Sequence, residues 1–303
     1  MAARPGRLAV LIALVYNPGA GEGGIDLPAL LGAVEGSGHR AEAWSTAESG
    51  WEQAFEGTHD VVVAAGGDGT VGKVFTALAG TGRVTTIVPL GTANNVARGL
   101  GLPVERPLKV IEGWATGSRR QFDVPGVVID GVEQRFVEGT VGGVFAELLV
   151  RTERSDPHGT TSQVLWDRFG ELLGTAYAEP WLIDLDGDAA TVEVIGVHAM
   201  NIGYTGPAVP LAPQADPHDG LVDVLLIGPD DAAALERYAR ARRAGRPGSL
   251  PPLRTRRGRT VGLIPPSIHA ALVVDDRIVG PTQIGPTTID AAASTVPVLL
   301  PGP

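Results

Sequence analysis

The run VVVAAGGDGTVGKVFTAL, Val61–Leu78, limits the possible folds more than any other stretch of the chain. Five apolar residues, Val61–Ala65, read as a strand covered on both faces. Val71, Val74, Phe75 and Leu78 then recur at i, i+3, i+4 and i+7, which is one face of a helix. Gly66–Thr70 is therefore a strand-to-helix loop at the carboxyl end of a buried strand, where open α/β sheets bind ligands. Glycines let the backbone turn tightly and approach a ligand closely. Backbone N–H groups backed by a helix N-terminus favour phosphate. Asp68 fits such a loop only if a metal ion stands between it and the phosphate, or if it receives a proton or a hydroxyl hydrogen bond. Thr70 reads as a helix N-cap, a phosphate ligand, or both.

The same unit repeats through the first 120 or so residues. Strands are predicted at Val10–Tyr16, Arg40–Trp44, Val61–Ala65 and Val84–Val88. Helices are predicted at Asp26–Val34, Trp51–Phe55, Val71–Ala79, Asn94–Leu100 and Pro107–Ala115. The expectation is a parallel sheet with helices on both faces. Two further loops occupy equivalent places. NPGAGEGG follows the first strand and holds Gly19, Gly21 and Gly24 at dinucleotide-fingerprint spacing, with Glu42 as the ribose-binding acid that pattern would need. PLGTANNVARGLGLP follows Val84–Val88: Gly91 and Thr92 turn the chain, Asn94 or Asn95 caps the next helix, and Arg98 is within reach of an anion. Three such loops on one sheet edge predict a nucleotide-phosphate site.

After Arg119 strand-like runs dominate: Val127–Ile129, Val192–His198, Leu221–Ile227, Arg259–Leu263, Ala271–Val274 and Thr295–Leu299. Helices are predicted at Ser162–Leu173 and Asp231–Ala244, and an arginine-, glycine- and proline-rich loop over Ala241–Arg259. The fold class read from this is α/β: an N-terminal three-layer α/β nucleotide-binding domain, residues 1–122, and a C-terminal β-rich, sandwich-like domain, residues 123–303. The closing segment is free to pack back on the first domain.

Composition narrows the function. The formal net charge is -10, which repels nucleic acid and anionic membrane at long range. Nucleic acid is not an expected partner. The exception in charge is the arginine cluster Arg240, Arg242, Arg243, Arg246, Arg254, Arg256, Arg257 and Arg259, readable either as a solvated loop or as a seat on anionic lipid. Cysteine is absent, which excludes disulfides, thiolate metal sites and cysteine nucleophiles. The apolar start reads as a first strand rather than a secretory signal, and no apolar run reaches the roughly 18 residues of a membrane span. A cytoplasmic location is expected, with peripheral membrane contact left open.

The ordered set of motifs resembles the diacylglycerol kinase catalytic domain family, whose superfamily includes bacterial lipid kinases, sphingosine kinases and, more distantly, NAD kinases. The resemblance rests on Asn17-Pro18 with its glycines, Gly66-Gly67-Asp68-Gly69-Thr70, Pro89-Leu90-Gly91-Thr92-Ala93-Asn94, LAPQADPHDGLVDVLLI (Leu211–Ile227), ALVVDD (Ala271–Asp276) and TVPVLLP (Thr295–Pro301). It implies two domains with a cleft between them, ATP and Mg²⁺, and γ-phosphoryl transfer to a lipid or other hydroxyl-bearing substrate. By position it implies that Asn17, Gly67, Gly69, Thr70, Thr92 and Asn94 hold the nucleotide. Asp68 would act near phosphates and metal. Asp216, Asp219 and the carbonyl of Leu221 would form a structural metal site, and Asp275 the general base, with Asp276 its alternative. A homodimer is left open.

The chain departs from the family pattern near the expected chemistry. Gly72 and Lys73 stand where asparagine and glutamate are usual, Asn95 follows Asn94 in place of aspartate, and Asp276 and Arg277 follow Asp275 in place of glycine and glutamate. In FVEGTVGGVFAELL, Glu138 and Ala146 stand near the places of an asparagine and an aspartate. Lys73 in place of a glutamate either weakens Mg²⁺ binding or ligates phosphate directly. The two function classes carried forward are an ATP-dependent lipid kinase and a catalytically degenerate nucleotide- or lipid-binding relative.

Overall fold

A computed structural model describes residues 10–21, 24–155, 162–266, 271–279 and 287–302. Glu22 and Gly23 of the first glycine loop lie outside the described residues. The chain divides into two units, Met1–Val124 with Ser294–Pro303, and Pro125–Ala293.

In the first unit, alternating apolar runs and helical segments build one sheet. Its strands are β1 (Leu11–Tyr16), β2 (Arg40–Ser45), β3 (Val61–Gly66), β4 (Thr85–Pro89), β5 (Ser118–Asp123) and β18 (Thr295–Leu300). Their spatial order is β2-β1-β3-β4-β18-β5. β1 to β4 pair in parallel, and β18 pairs parallel to β4 and antiparallel to β5. Helices α1 (Leu27–Gly36) and α4 (Lys109–Glu112) pack Leu30, Val34, Val110 and Ile111 against Ile12, Leu14, Val61 and Val63. Helix α2 (Asp68–Leu78) buries Val71, Val74, Phe75 and Leu78, the stripe expected from their spacing, and Phe75 meets Phe122 edge-on. The helix begins three residues earlier than predicted, so Asp68, Gly69 and Thr70 form its first turn. Gly67 holds the cap position, and Thr70 is not the N-cap.

The second unit is a sandwich of two antiparallel sheets. One runs β10 (Asp188–Val194), β9 (Glu179–Leu185), β14 (Thr260–Ile264), β17 (Thr287–Asp290), β6 (Gly126–Ile129), β7 (Val132–Arg135). The other runs β13 (Arg254–Gly258), β12 (Val222–Ile227), β11 (Gly196–Met200), β8 (Gly139–Gly143), β15 (Leu272–Val274), β16 (Arg277–Val279). Alternate residues of both sheets meet in one core: Val127, Trp181, Ile183, Val261 and Ile289 face Val197, Val224, Leu226 and Leu272. The opposite face of the second sheet presents Leu225, Ile227 and Met200 to α6 (Ser162–Thr175) and α7 (Ala232–Arg243) through Phe169, Leu172, Leu235 and Tyr238. A third helix, α5 (Val144–Ser155), follows β8 directly.

Two expectations change. The run Val192–His198 is two strands, because the chain breaks from β10 to β11 at Ile195. Arg254–Gly258, expected as loop, is β13, the edge strand of the second sheet, and its arginines are compatible with an edge because the charged side chains discourage further pairing. Thr295–Leu300 joins the first unit's sheet, the packing left open for the closing segment. Two hairpins turn on Asp130-Gly131 and Asp186-Gly187, all four residues at positive φ, the backbone a two-residue turn requires.

Candidate functional site

In the first unit the loops after β1, β3 and β4 lie side by side. Asn17 N–H donates to the Ala65 carbonyl (3.0 Å) and Leu90 N–H to the Gly66 carbonyl (2.9 Å), so each loop leaves the sheet hydrogen-bonded to its neighbour. Their glycines are needed for this contact before any ligand is considered. A Cβ on Gly91 would stand 2.4 Å from the Gly67 Cα, and one on Gly21, at φ +68°, 2.3 Å from the Leu90 carbonyl oxygen. A cavity of about 180 Å³ opens here, lined by Gly21, Gly24, Ile25, Leu90, Gly91, Asn94, Val104 and Pro107 among others. Its lining mixes backbone polar groups of the glycine loops with the side chains of Ile25, Leu90, Val104 and Pro107.

The predicted site residues take distinct places. Asn17 Oδ1 accepts from Gly19 N–H (2.9 Å), which shapes the first loop. Asn94, buried and at φ +52°, clamps Gly91 from both sides: its Oδ1 accepts from the N–H (2.9 Å) and its Nδ2 donates to the carbonyl (2.7 Å). It holds the cap position of α3 (Asn95–Gly99) without a side-chain capping bond. Thr70 is buried over Gly66, Thr92 is exposed, and Lys73 is exposed on α2 four residues after Gly69. Helix α2 has no side-chain cap, so its first-turn donors are not taken by one. Arg98 is turned inward to the Ala93 carbonyl (2.9 Å) and to Glu105 (3.5 Å) rather than held out for an anion. Glu42 pairs with His59 (3.2 Å).

Asp68 resolves the conflict its charge posed. Its Oδ1 accepts from Val96 N–H (3.0 Å), and the amides of Asn95 and Asn94 also stabilise it. The carboxylate thus ties the second glycine loop to the first turn of α3, and supplies that turn with the negative charge its amides favour. Burial raises its pKa, and the surrounding amides oppose the rise.

In the second unit Asp275 sits at φ +54° in the turn between β15 and β16. Its Oδ1 accepts from the N–H of Glu138 (2.8 Å) and of Gly139 (3.1 Å), and its Oδ2 from Val137 (3.1 Å). Burial pushes its pKa up to about 6, while the three amides and the charge of Arg277 pull it down. Oδ2 meets a single amide and keeps acceptor capacity for another proton donor. Asp276 is exposed, and Arg277 donates to the Arg135 carbonyl (2.9 Å). What sequence reasoning missed is the amide triplet of Val137–Gly139: the search there was for side chains, whereas the partner of Asp275 is backbone.

Asp216 and Asp219 lie in the loop before β12. Asp216 Oδ1 accepts from His218 N–H (3.1 Å), and Asp219 Oδ1 from Leu221 N–H (3.0 Å). Asp219 Oδ2 receives the Arg257 guanidinium at 2.6 Å. A hard cation needs several oxygen ligands with free lone pairs converging on one point. Among the described residues no group of three or more His, Asp or Glu side chains could hold a metal ion, and in this loop Asp219 is already paired with Arg257.

Comparison with known proteins decides the kinship. A diacylglycerol kinase of Mycobacterium tuberculosis is 30% identical over 222 residues, spanning 69% of this chain and 68% of that protein. The chain belongs to the diacylglycerol kinase family. The diacylglycerol kinase catalytic domain model matches residues 12–127, and the YegS C-terminal NAD kinase beta sandwich-like domain model matches residues 172–292. A diacylglycerol kinase of Bacillus subtilis is 27% identical over 237 residues, 75% of this chain and 76% of its own. The crystal structure of a diacylglycerol kinase from Bacillus anthracis superposes with a TM-score of 0.65 at 18% identity, covering 98% of both chains. Yeast NADH kinase complexed with NADH gives 0.53 at 10% identity, covering 98% of this chain and 85% of its own. These structures establish the shared fold, an α/β domain with a β-rich partner. Within the diacylglycerol kinase family pattern, the altered residues Lys73 and Arg277 are exposed and Asn95 is buried.

Proposed function

We propose that this chain is an ATP-dependent lipid kinase that moves the γ-phosphoryl group of MgATP to the hydroxyl of a diacylglycerol-like or sphingoid-like lipid. The three loops of the first unit hold the nucleotide: Asn17, Gly67, Gly69, Thr70, Thr92 and Asn94 form or shape its cradle, and Lys73 adds a cation to the phosphates. Mg²⁺ arrives with the nucleotide. Asp275 takes the proton of the lipid hydroxyl as its oxygen bonds to the γ-phosphorus and the bond to the bridging oxygen of ADP breaks. The observation that carries this reading is the geometry of Asp275: three backbone amides orient a carboxylate whose Oδ2 keeps acceptor capacity, and burial pushes its pKa up to about 6, toward that of a general base. A lipid acceptor requires the chain to visit a membrane surface; among the described residues no helix is long and apolar enough to cross one.

The test is a γ-labelled ATP assay against diacylglycerol, sphingoid bases and small alcohols. Labelled lipid phosphate is expected. ATP binding without label in any acceptor would overturn the kinase reading in favour of a binding module, the reading supported by Lys73 and Asn95 standing where acidic residues are usual.

A further inference from the structure

We propose that the Arg257 guanidinium, not a bound cation, neutralises and holds the loop that leads into β12. Arg257 lies on β13 directly across from Asp223 of β12. Its terminal nitrogen donates to Asp219 Oδ2 (2.6 Å) and its Nε to Asp223 Oδ2 (3.4 Å). Gln214 Nε2 donates to the other oxygen of Asp223 (3.1 Å). One guanidinium thus bridges two carboxylates and joins the loop to the edge strand, which suits arginine's planar fork and would not suit a lysine equally.

Two features favour this bridge over a cation at the loop. Leu221 N–H donates to the Asp219 oxygen that does not face Arg257, so both oxygens of that carboxylate are already hydrogen-bonded within the unit. And Asp223 is almost fully buried, so its charge needs a fixed partner inside the unit, which Arg257 supplies. A divalent ion drawn to Asp219 would have to displace a guanidinium of like charge and leave Asp223 with a weaker partner.

The experiment is thermal unfolding of the full chain without nucleotide, with EDTA, Mg²⁺ or Ca²⁺ added in turn. The wild-type melting temperature is expected to be the same in all three. Arg257→Met keeps the stem and removes the charge: it should melt several degrees lower and gain a Mg²⁺-dependent rise that wild type lacks. Should Arg257→Met not fold, Arg257→Lys is read in its place and should show a smaller loss. A wild-type rise with Mg²⁺ that Asp216→Asn removes would overturn the proposal, as would an Arg257→Met chain that melts like wild type.

Discussion

At the residue scale, the two aspartates central to the proposed chemistry are both held by backbone amides, yet they lead to different expectations. Asp275 accepts from three amides and keeps an oxygen with spare capacity, whereas Asp68 links two loops. Asp275→Asn should therefore lower kcat about 10²–10⁴-fold while ATP affinity stays nearly unchanged. Asp68→Ala should weaken ATP binding and stability together, because it leaves amides of the α3 first turn without their acceptor. Kinetics and calorimetric ATP titration of both variants separate the roles; full turnover in Asp275→Asn would remove it as base. The pH dependence has a definite sign. Burial raises the Asp275 pKa from the usual 3.8 to about 6, so the base form, and with it kcat, is lost as pH falls through about 6. The same shift means the folded chain binds that proton more tightly than the unfolded chain. It contributes stability that is present below 3.8 and lost as pH rises through about 6. An acid limb in kcat that survives in an Asp275 variant with residual turnover would assign the titration to another group.

At the element scale, the glycines of the nucleotide loops act first on each other. Gly91→Ala would place a Cβ 2.4 Å from the Gly67 backbone, so the loops must part. A loss of roughly 1–3 kcal/mol in stability is expected, with weaker ATP binding. Gly36→Ala at the end of α1, where an added Cβ meets nothing within 4 Å, should leave ATP binding unchanged and raise stability by about 0.4–1 kcal/mol. Denaturant melts and ATP titrations of the pair check this. These loops were legible in the sequence because strand, glycine and helix period follow one another without interruption. β8 was not, because GTVGG reads as a turn. Its glycines are spaces: a Cβ on Gly139 would stand 2.6 Å from the Ala199 carbonyl oxygen, and one on Gly142 2.4 Å from the Trp181 ring. A strand whose side chains are deleted to admit its neighbours carries no hydrophobic alternation to read. β13 was hidden for the opposite reason, since an exposed, arginine-rich edge strand is composed like a loop. The Asp130-Gly131 and Asp186-Gly187 turns were legible and passed over, their flanking strands being polar or short.

At the scale of the whole molecule, the second unit is an insertion between β5 and β18 of the first. β18 is an interior strand, between β4 and β5, and Val298 on it is fully buried. Val298→Asp should place an unpaired charge in the first unit's core at a cost of roughly 3–5 kcal/mol. Hydrogen-exchange mass spectrometry is expected to show protection lost in β1 to β5 and kept in β8, β11 and β12; equal loss throughout would mean the two units unfold as one. The strand order also sets a timetable for synthesis. A ribosome makes β1 to β5 first, but the gap between β4 and β5 can be filled only after all of residues 125–293 have been made. The first-translated unit is therefore the last to be completed. Until then β4 has an open edge and β5 has no strand partner, which is a liability for aggregation in a nascent chain and a reason for the inserted sandwich to fold on its own before its host.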